Sequence, residues 1–316
     1  MLHVNTTRCA SANTELIGLR VIYYHRFNYD HAQQMLDAQC QYLRSKYDVI
    51  SMDQAASVLA ESTSRPTSSL IVAVDDGHRD FYEIAMPVFK KHNIPAICYL
   101  VTDFIDGVDW LWFDKVDFLC VCSSKAEAKI TLSNGKELLL PMAHSKDRRV
   151  AAMKLKEALK SLPYEDFLAT LEKLPSFMQA ALPARPPSQY APLGWDEVRK
   201  MTDLGMCFGA HTRTHPILSR IADIRKLSDE MVESKKHIER ELQMAVLHFA
   251  YPNGRLLDIA PECPRLLRDG GFKTAVTTVY GINDGSTDVL HLKRIWVEPY
   301  LEMSYFQQRV SGLATS

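Results

Sequence analysis

The sequence predicts a parallel α/β barrel carrying an inserted lid region, on three observations. Short apolar runs alternate with segments of helical periodicity, the pattern of βα units. Charged or turn-forming residues stand directly behind several of those runs, as they do where parallel strands open onto a barrel mouth. Between two such stretches, from about 106 to 193, lies a region that breaks the rhythm.

The elements follow in order. LRVIYY, Leu19 to Tyr24, predicts the first strand, and 31–46 predicts a helix with Met35, Leu36 and Leu43 on one side. SLIVAV, Ser69 to Val74, has the length and continuous apolarity of a buried parallel strand and ends in Asp75-Asp76-Gly77. A helix over 81–92 and the strand AICYLV, Ala96 to Val101, follow. The rhythm resumes with a helix from Trp195 to Leu204, a strand over 206–210, a helix over 225–243 and a strand over 246–250. A helix over 263–269, a strand over 274–278 and the late strand LKRIW complete it. The odd region holds DWLWFDKVDFL, a hairpin in KITLSNGKELLL turning at Asn134-Gly135, two helix-like segments and a proline-rich exit. We read 106–193 as a lid or small subdomain inserted into one domain spanning 1–316.

Composition narrows the class further. Hydrophobic residues at 47% and charged residues at 24% fit a globular protein and exclude disordered, collagen-like and coiled-coil chains. Lys+Arg 37 against Asp+Glu 38 gives a net charge of −1, which points away from nucleic acid as a partner. The seven cysteines include no CxxC pair, so thiolate zinc and thioredoxin-like motifs are not expected. Scattered free thiols suit a reducing compartment, and the Cys120-Val-Cys122 pair reads as two small buried side chains. The N-terminal residues have no apolar core behind a basic start, and no run approaches the length of a membrane span. The expected location is cytoplasmic.

Three motifs carry chemistry. Asp75 and Asp76 are adjacent carboxylates whose mutual repulsion calls for a nearby cation or donor, and Gly77 allows a sharp turn behind them. His211 and His215 stand four apart in GAHTRTHP, and on a helical turn both imidazoles face one ion. Thr212 occupies the place of a general-base Glu, so the HExxH mechanism is unavailable here; a metal would need its carboxylate ligand and base from elsewhere, and Asp75-Asp76 can supply both. FAYPNGR ends a later strand in a turn, Pro252-Asn253-Gly254, able to present backbone N–H groups to the mouth. Taken singly, these fit equally a helix cap, a surface histidine pair and an ordinary turn.

Together, in this order, the motifs resemble the polysaccharide deacetylases of the NodB-homology type. GWDEVRKMTDLGMCFGAHTRTHPILS carries most of the likeness, which runs from VIYYHRF to KRIWV outside the insertion. The resemblance implies a distorted (β/α)7 TIM-like barrel and a metal-dependent hydrolase that removes an N-acetyl group from an amino sugar or glycan precursor. It also implies a divalent ion, Zn2+ first with Co2+, Ni2+ or Mn2+ as alternatives, held by Asp76, His211 and His215, with Asp75 as general base. The family's third motif, R-x-P-Y, has Ala250 at its Arg position here, so Arg294 is assigned to hold the base, with Arg255 as the other candidate. His25, Tyr251, Pro252 and Asn253 are the expected substrate contacts, and His248 and His291 the candidates for the family's general-acid histidine.

Other readings stay open at this point. Trp110, Trp112 and Phe113 fit a sugar platform or the core of a lid; Trp195 fits packing; the mixed charges of 222–243 fit a solvated helix face. Rival functions are an iron oxygenase with two histidines and one carboxylate, a carbohydrate-binding relative with impaired catalysis, and a hydrolase of another C–N bond such as a cyclic imide, ureide or formamide.

Overall fold

The computed structural model describes residues 18–60 and 68–312; Cys9 and the N-terminal segment read above lie outside them. The strands are β1 (Arg20–Tyr24), β2 (Asp48–Val49), β3 (Ser69–Val74), β4 (Ile97–Leu100), β5 (Glu127–Thr131), β6 (Glu137–Pro141), β7 (Cys207–Ala210), β8 (His248–Ala250), β9 (Thr274–Tyr280) and β10 (Leu292–Trp296). Seven of them are parallel and close on themselves in the order β1-β10-β9-β8-β7-β4-β3, because β1 pairs with both β10 and β3. The architecture is a (β/α)7 barrel.

The two-residue period of the strands sorts their side chains. Val21, Tyr23, Ile71, Ala73, Ile97, Tyr99, Ala250, Val276 and Leu292 fill the barrel interior. Their neighbours Ile22, Tyr24, Leu70, Val72, Val74, Cys98 and Leu100 meet the surrounding helices. Gly209 gives up a side chain to this packing, since a Cβ there would stand 2.6 Å from the Tyr99 ring. Counting on by twos, the inward parity reaches His25 behind β1, Asp75 behind β3, His211 behind β7 and Arg294 in β10. All four lie at the C-terminal mouth.

The other end is closed by a helix, Met52–Ala60, whose Met52 and Ala55 join the interior cluster. Neither this helix nor β2 is foreseen by the sequence reading. β2 is two residues long and pairs only with the start of β3, too short for any periodicity to register.

The region between β4 and β7 builds its own core. Helices Trp112–Cys122, Ser145–Lys160 and Tyr164–Met178 pack with the β5–β6 hairpin around Leu119, Ile130, Leu140, Leu155, Leu174 and Met178. Arg148 donates to the carbonyls of Cys120, Val121 and Ser123, satisfying the C-terminal end of the first of these helices. Cys120 is buried there, but Cys122 is exposed. Residues two apart on a helix point to nearly opposite sides, so the expected pair of buried thiols cannot form. Among the described residues, no helix is long and apolar enough to cross a membrane.

Candidate metal centre

The first motif leaves β3 by a tight left-handed turn. The Asp75 N–H still follows the sheet, bonding to the Tyr24 carbonyl, and then Asp76 (φ 75°) and Gly77 (φ 87°) reverse the chain. Both carboxylates are thereby driven into the mouth, each only 2% exposed. Their surroundings separate them.

Asp75 meets Arg294 in a bidentate pair, Oδ1 to Nη1 at 2.7 Å and Oδ2 to Nη2 at 2.8 Å. A register shift between β9 and β10 lies beside this pair, and the Arg294 Nε donates to the Thr277 carbonyl at 2.7 Å. The guanidinium also lies over the Tyr23 ring, 3.9 Å from its centroid. Burial alone would raise the Asp75 carboxyl, but the Arg294 guanidinium outweighs it and holds the group at about 2.

Asp76 is in the opposite position. Burial pushes its carboxyl up to about 7, with Asp75 and Asp114 adding to the rise against His78. Its Oδ1 is buried without a hydrogen-bond partner and stands 3.6 Å from His211 Nε2 and 3.7 Å from His215 Nε2. Ligand atoms each about 2.0–2.1 Å from a tetrahedral zinc ion lie roughly 3.4 Å apart, so this orphaned oxygen and the two imidazoles fit a divalent cation. His211 Nδ1 lies 2.7 Å from the Ala250 carbonyl; donating there, it leaves the Nε2 lone pair turned to Asp76. Burial pulls both histidines' pKa down, which keeps them in the neutral, ligating form.

The histidines do not share a helical turn, contrary to the sequence reading. Residues 211–217 form an irregular loop in which Thr212 (φ 68°) and His215 (φ 60°) are left-handed. The Thr212 hydroxyl accepts the His215 N–H at 3.0 Å, and this fold brings the rings to 4.7 Å between centroids.

The remaining predicted residues divide. His25 stands 3.8 Å from Asp75 and lines a cavity of about 900 Å³ together with Tyr251 and Asn253. Pro252 is buried and is not part of the cavity wall. Arg255 reaches the wall but spends its guanidinium on Asp258, at 2.8 and 3.1 Å. His248 bonds Thr274 and Asp53 at the far end of the barrel, and His291 bonds Asp288 and stacks on Tyr251; neither lines the cavity.

The polysaccharide deacetylase family model matches residues 151–272, the stretch that holds both histidines. No curated protein matches the chain. Among solved structures, the deacetylase PplD of Streptococcus pyogenes in complex with acetate is 18% identical, with a TM-score of 0.61 over 93% of this chain and 98% of that one. IcaB from Ammonifex degensii is 18% identical at a TM-score of 0.61, over 95% and 99% of the two chains. A de-N-acetylase from Aggregatibacter actinomycetemcomitans is 15% identical at 0.56, over 92% and 98%. At these identities the structures share a fold. The family likeness is to the polysaccharide deacetylases.

Around this centre stand buttresses that the motifs do not reveal. Glu230, buried in a π-helical stretch at Asp229–Glu233, accepts the N–H groups of Arg213 and Thr214 at 2.9 and 3.0 Å and the Thr214 hydroxyl at 2.7 Å. The mixed-charge helix is therefore not solvated throughout: one of its carboxylates pins the histidine loop. The inserted helix Trp112–Cys122 braces the centre twice. Its Trp112 indole donates to the His215 carbonyl at 3.0 Å, and its Asp114 lies 2.7 Å from His78 Nε2, whose other nitrogen is 4.0 Å from Asp76 Oδ2. Trp112 thus serves the core of this region and the cavity wall together. Trp195 is packed at the barrel surface, with its indole donating to Asp106.

Replacing Glu230 by Ala leaves three donors of the histidine loop unpaired. Affinity for a divalent ion is expected to fall about 10–100-fold, the range for loss of a supporting hydrogen-bond partner. Titration against a fluorescent chelator measures it, and an unchanged dissociation constant removes Glu230 from the support of the centre.

Proposed function

We propose that the mouth of the barrel hydrolyses the N-acetyl group of an amino sugar or glycan precursor, using a divalent ion, zinc first, held by Asp76, His211 and His215. The observation that carries this reading is the divergence of two neighbouring buried carboxylates. Asp76 turns an unpartnered oxygen to two imidazoles, while Asp75 is kept ionised by Arg294.

A divalent ion in the first setting supplies Lewis acidity, polarising a carbonyl and making water acidic near neutral pH. Asp75 takes the proton of the attacking water, its carboxylate aimed by the guanidinium fork. The backbone N–H of Asn253, in the turn on the cavity wall, meets the charge that develops on the acetyl oxygen. Burial holds the His25 imidazole down at about 4, so it starts neutral. Standing 3.8 Å from Asp75, it relays the proton that Asp75 took from water to the departing amine, and it is the one histidine on the wall outside the Asp76 cluster among the described residues. Water is added across the amide bond, giving acetate and a free amine.

Tyr29, Trp112, Phe113, Tyr190 and Trp296 on the wall support a sugar ring as the occupant, since aromatic faces pack against its C–H surface. The six cysteines of the described residues are free, which supports a reducing, cytoplasmic setting and a precursor rather than a finished wall polymer as substrate.

A panel of N-acetylhexosamine compounds, followed by mass spectrometry with and without chelator, tests the reading. Acetyl loss is expected from at least one compound, abolished by chelator and restored by zinc or cobalt. His25→Gln should lower turnover about 100-fold at unchanged metal content. Metal-loaded protein that leaves every member of the panel acetylated sinks the sugar deacetylase.

A further inference from the structure

At the closed end of the barrel, the same strand alternation lines up a second set of ligand-type side chains. Cys207 opens β7 and His248 opens β8, both at inward parity. Asp53 stands in the first turn of the helix that plugs this end. Its carboxylate spans the other two: Oδ1 is 3.0 Å from His248 Nε2, and Oδ2 is 3.6 Å from Cys207 Sγ. One ligating atom from each of the three lies within 4.8 Å of the others.

We propose that Asp53, Cys207 and His248 form a second, structural metal site that takes a zinc ion and clamps the helix Met52–Ala60 to β7 and β8.

The donor set argues for zinc. A thiolate, an imidazole and a carboxylate together select a borderline-soft divalent ion over magnesium or calcium, which prefer oxygen alone. His248 is 1% exposed, and its Nδ1 lies 2.9 Å from the Thr274 hydroxyl. With Nδ1 donating to Thr274, Nε2 presents its lone pair to Asp53 and Cys207, as metal-bound histidines held by an outer hydrogen bond do. The Asp53 side chain is 59% exposed, so water has access for entry and for a fourth position.

The location argues for a structural role. Cys207 and His248 lie at the N-terminal ends of their strands, with Asp53 in the helix beside them, on the face of such barrels that serves stability. The interior layer of Ala73, Tyr99, Ala250 and Val276 fills the barrel between this end and the Asp76 centre. The ion would tie together three segments distant in sequence, at the point where the barrel is closed by a single short helix.

Cobalt(II) reads the site directly, because a near-ultraviolet thiolate-to-cobalt charge-transfer band needs a sulfur ligand and the Asp76 centre offers none. The whole protein is expected to bind two equivalents of cobalt or zinc per chain and to show the band. Cys207→Ser should lose the band and one equivalent, while His211→Ala should keep the band and lose the other equivalent. Wild-type protein that binds one equivalent without the band overturns the proposal, whether or not Cys207→Ser folds, and leaves Asp53 as a hydrogen-bonded bridge. A band that survives in folded Cys207→Ser reports another thiol and overturns it as well.

Discussion

Asp75→Asn is expected to keep its divalent ion and to lose turnover by about 10²–10⁴-fold, whereas His211→Ala loses both. The split follows from where each side chain stands. Asp75 turns its two oxygens to Arg294 and lies outside the cluster of Asp76, His211 and His215. Asn preserves its size and one acceptor for the guanidinium but cannot take a proton from water. His211 is tied at one nitrogen to the Ala250 carbonyl and faces Asp76 with the other, so its removal deletes one of three ligands. That loss exceeds the 10–100-fold typical of a supporting residue. Metal content after dialysis and acetate release, measured on both variants, check the split. A fully active Asp75→Asn removes the proposed base, and a metal-free one makes Asp75 a ligand instead.

The parts of this centre legible in the sequence are those written within one strand and its tail. SLIVAV followed by two Asp residues, and an apolar run followed by GAHTRTH, place carboxylates and imidazoles at strand ends because a strand's period carries straight into the next residue. What escaped depends on backbone sign or on distant contacts. A spacing of four reads as a helical turn, and nothing in HTRTH announces that Thr212 and His215 are left-handed. Glu230 sits in a run of alternating charges, and only the packing of its helix shows which carboxylate turns inward. Asp114 lies in the insertion, where the family likeness gave no guide, yet it reaches His78 beside the metal-ligand candidate. Pro252 belongs to the turn expected at the substrate; it is buried, and its neighbours Tyr251 and Asn253 line the cavity.

Arg294→Met is expected to lower kcat by about 10²–10³-fold and, more tellingly, to bring an acid limb into the activity profile. In the intact protein the guanidinium overrides burial and holds Asp75 at about 2, so the base is ionised at every working pH and contributes no visible limb. Without its partner, burial is the largest remaining influence and raises the carboxyl above its ordinary 3.8. The base then protonates at a higher pH than in the intact protein, so the loss of activity grows as pH falls. Stability reverses sign with it. A folded pKa below the unfolded one stabilises above pH 3.8, and that contribution is lost only as pH falls through about 2. In the variant the folded pKa lies above the unfolded one, so stability declines as pH rises past about 4. Stripping one partner from a buried pair costs about 3–5 kcal/mol near neutral pH. Asp75→Asn combined with Arg294→Met removes the unpaired charge and should recover much of that stability without recovering turnover. Arg294→Lys keeps the charge but not the two-pronged contact, so it should show no new acid limb while losing part of kcat through misaimed oxygens. Activity profiles from pH 4.5 to 9 and melting curves at both ends decide the matter; an Arg294→Met profile that gains no acid limb detaches Arg294 from the base.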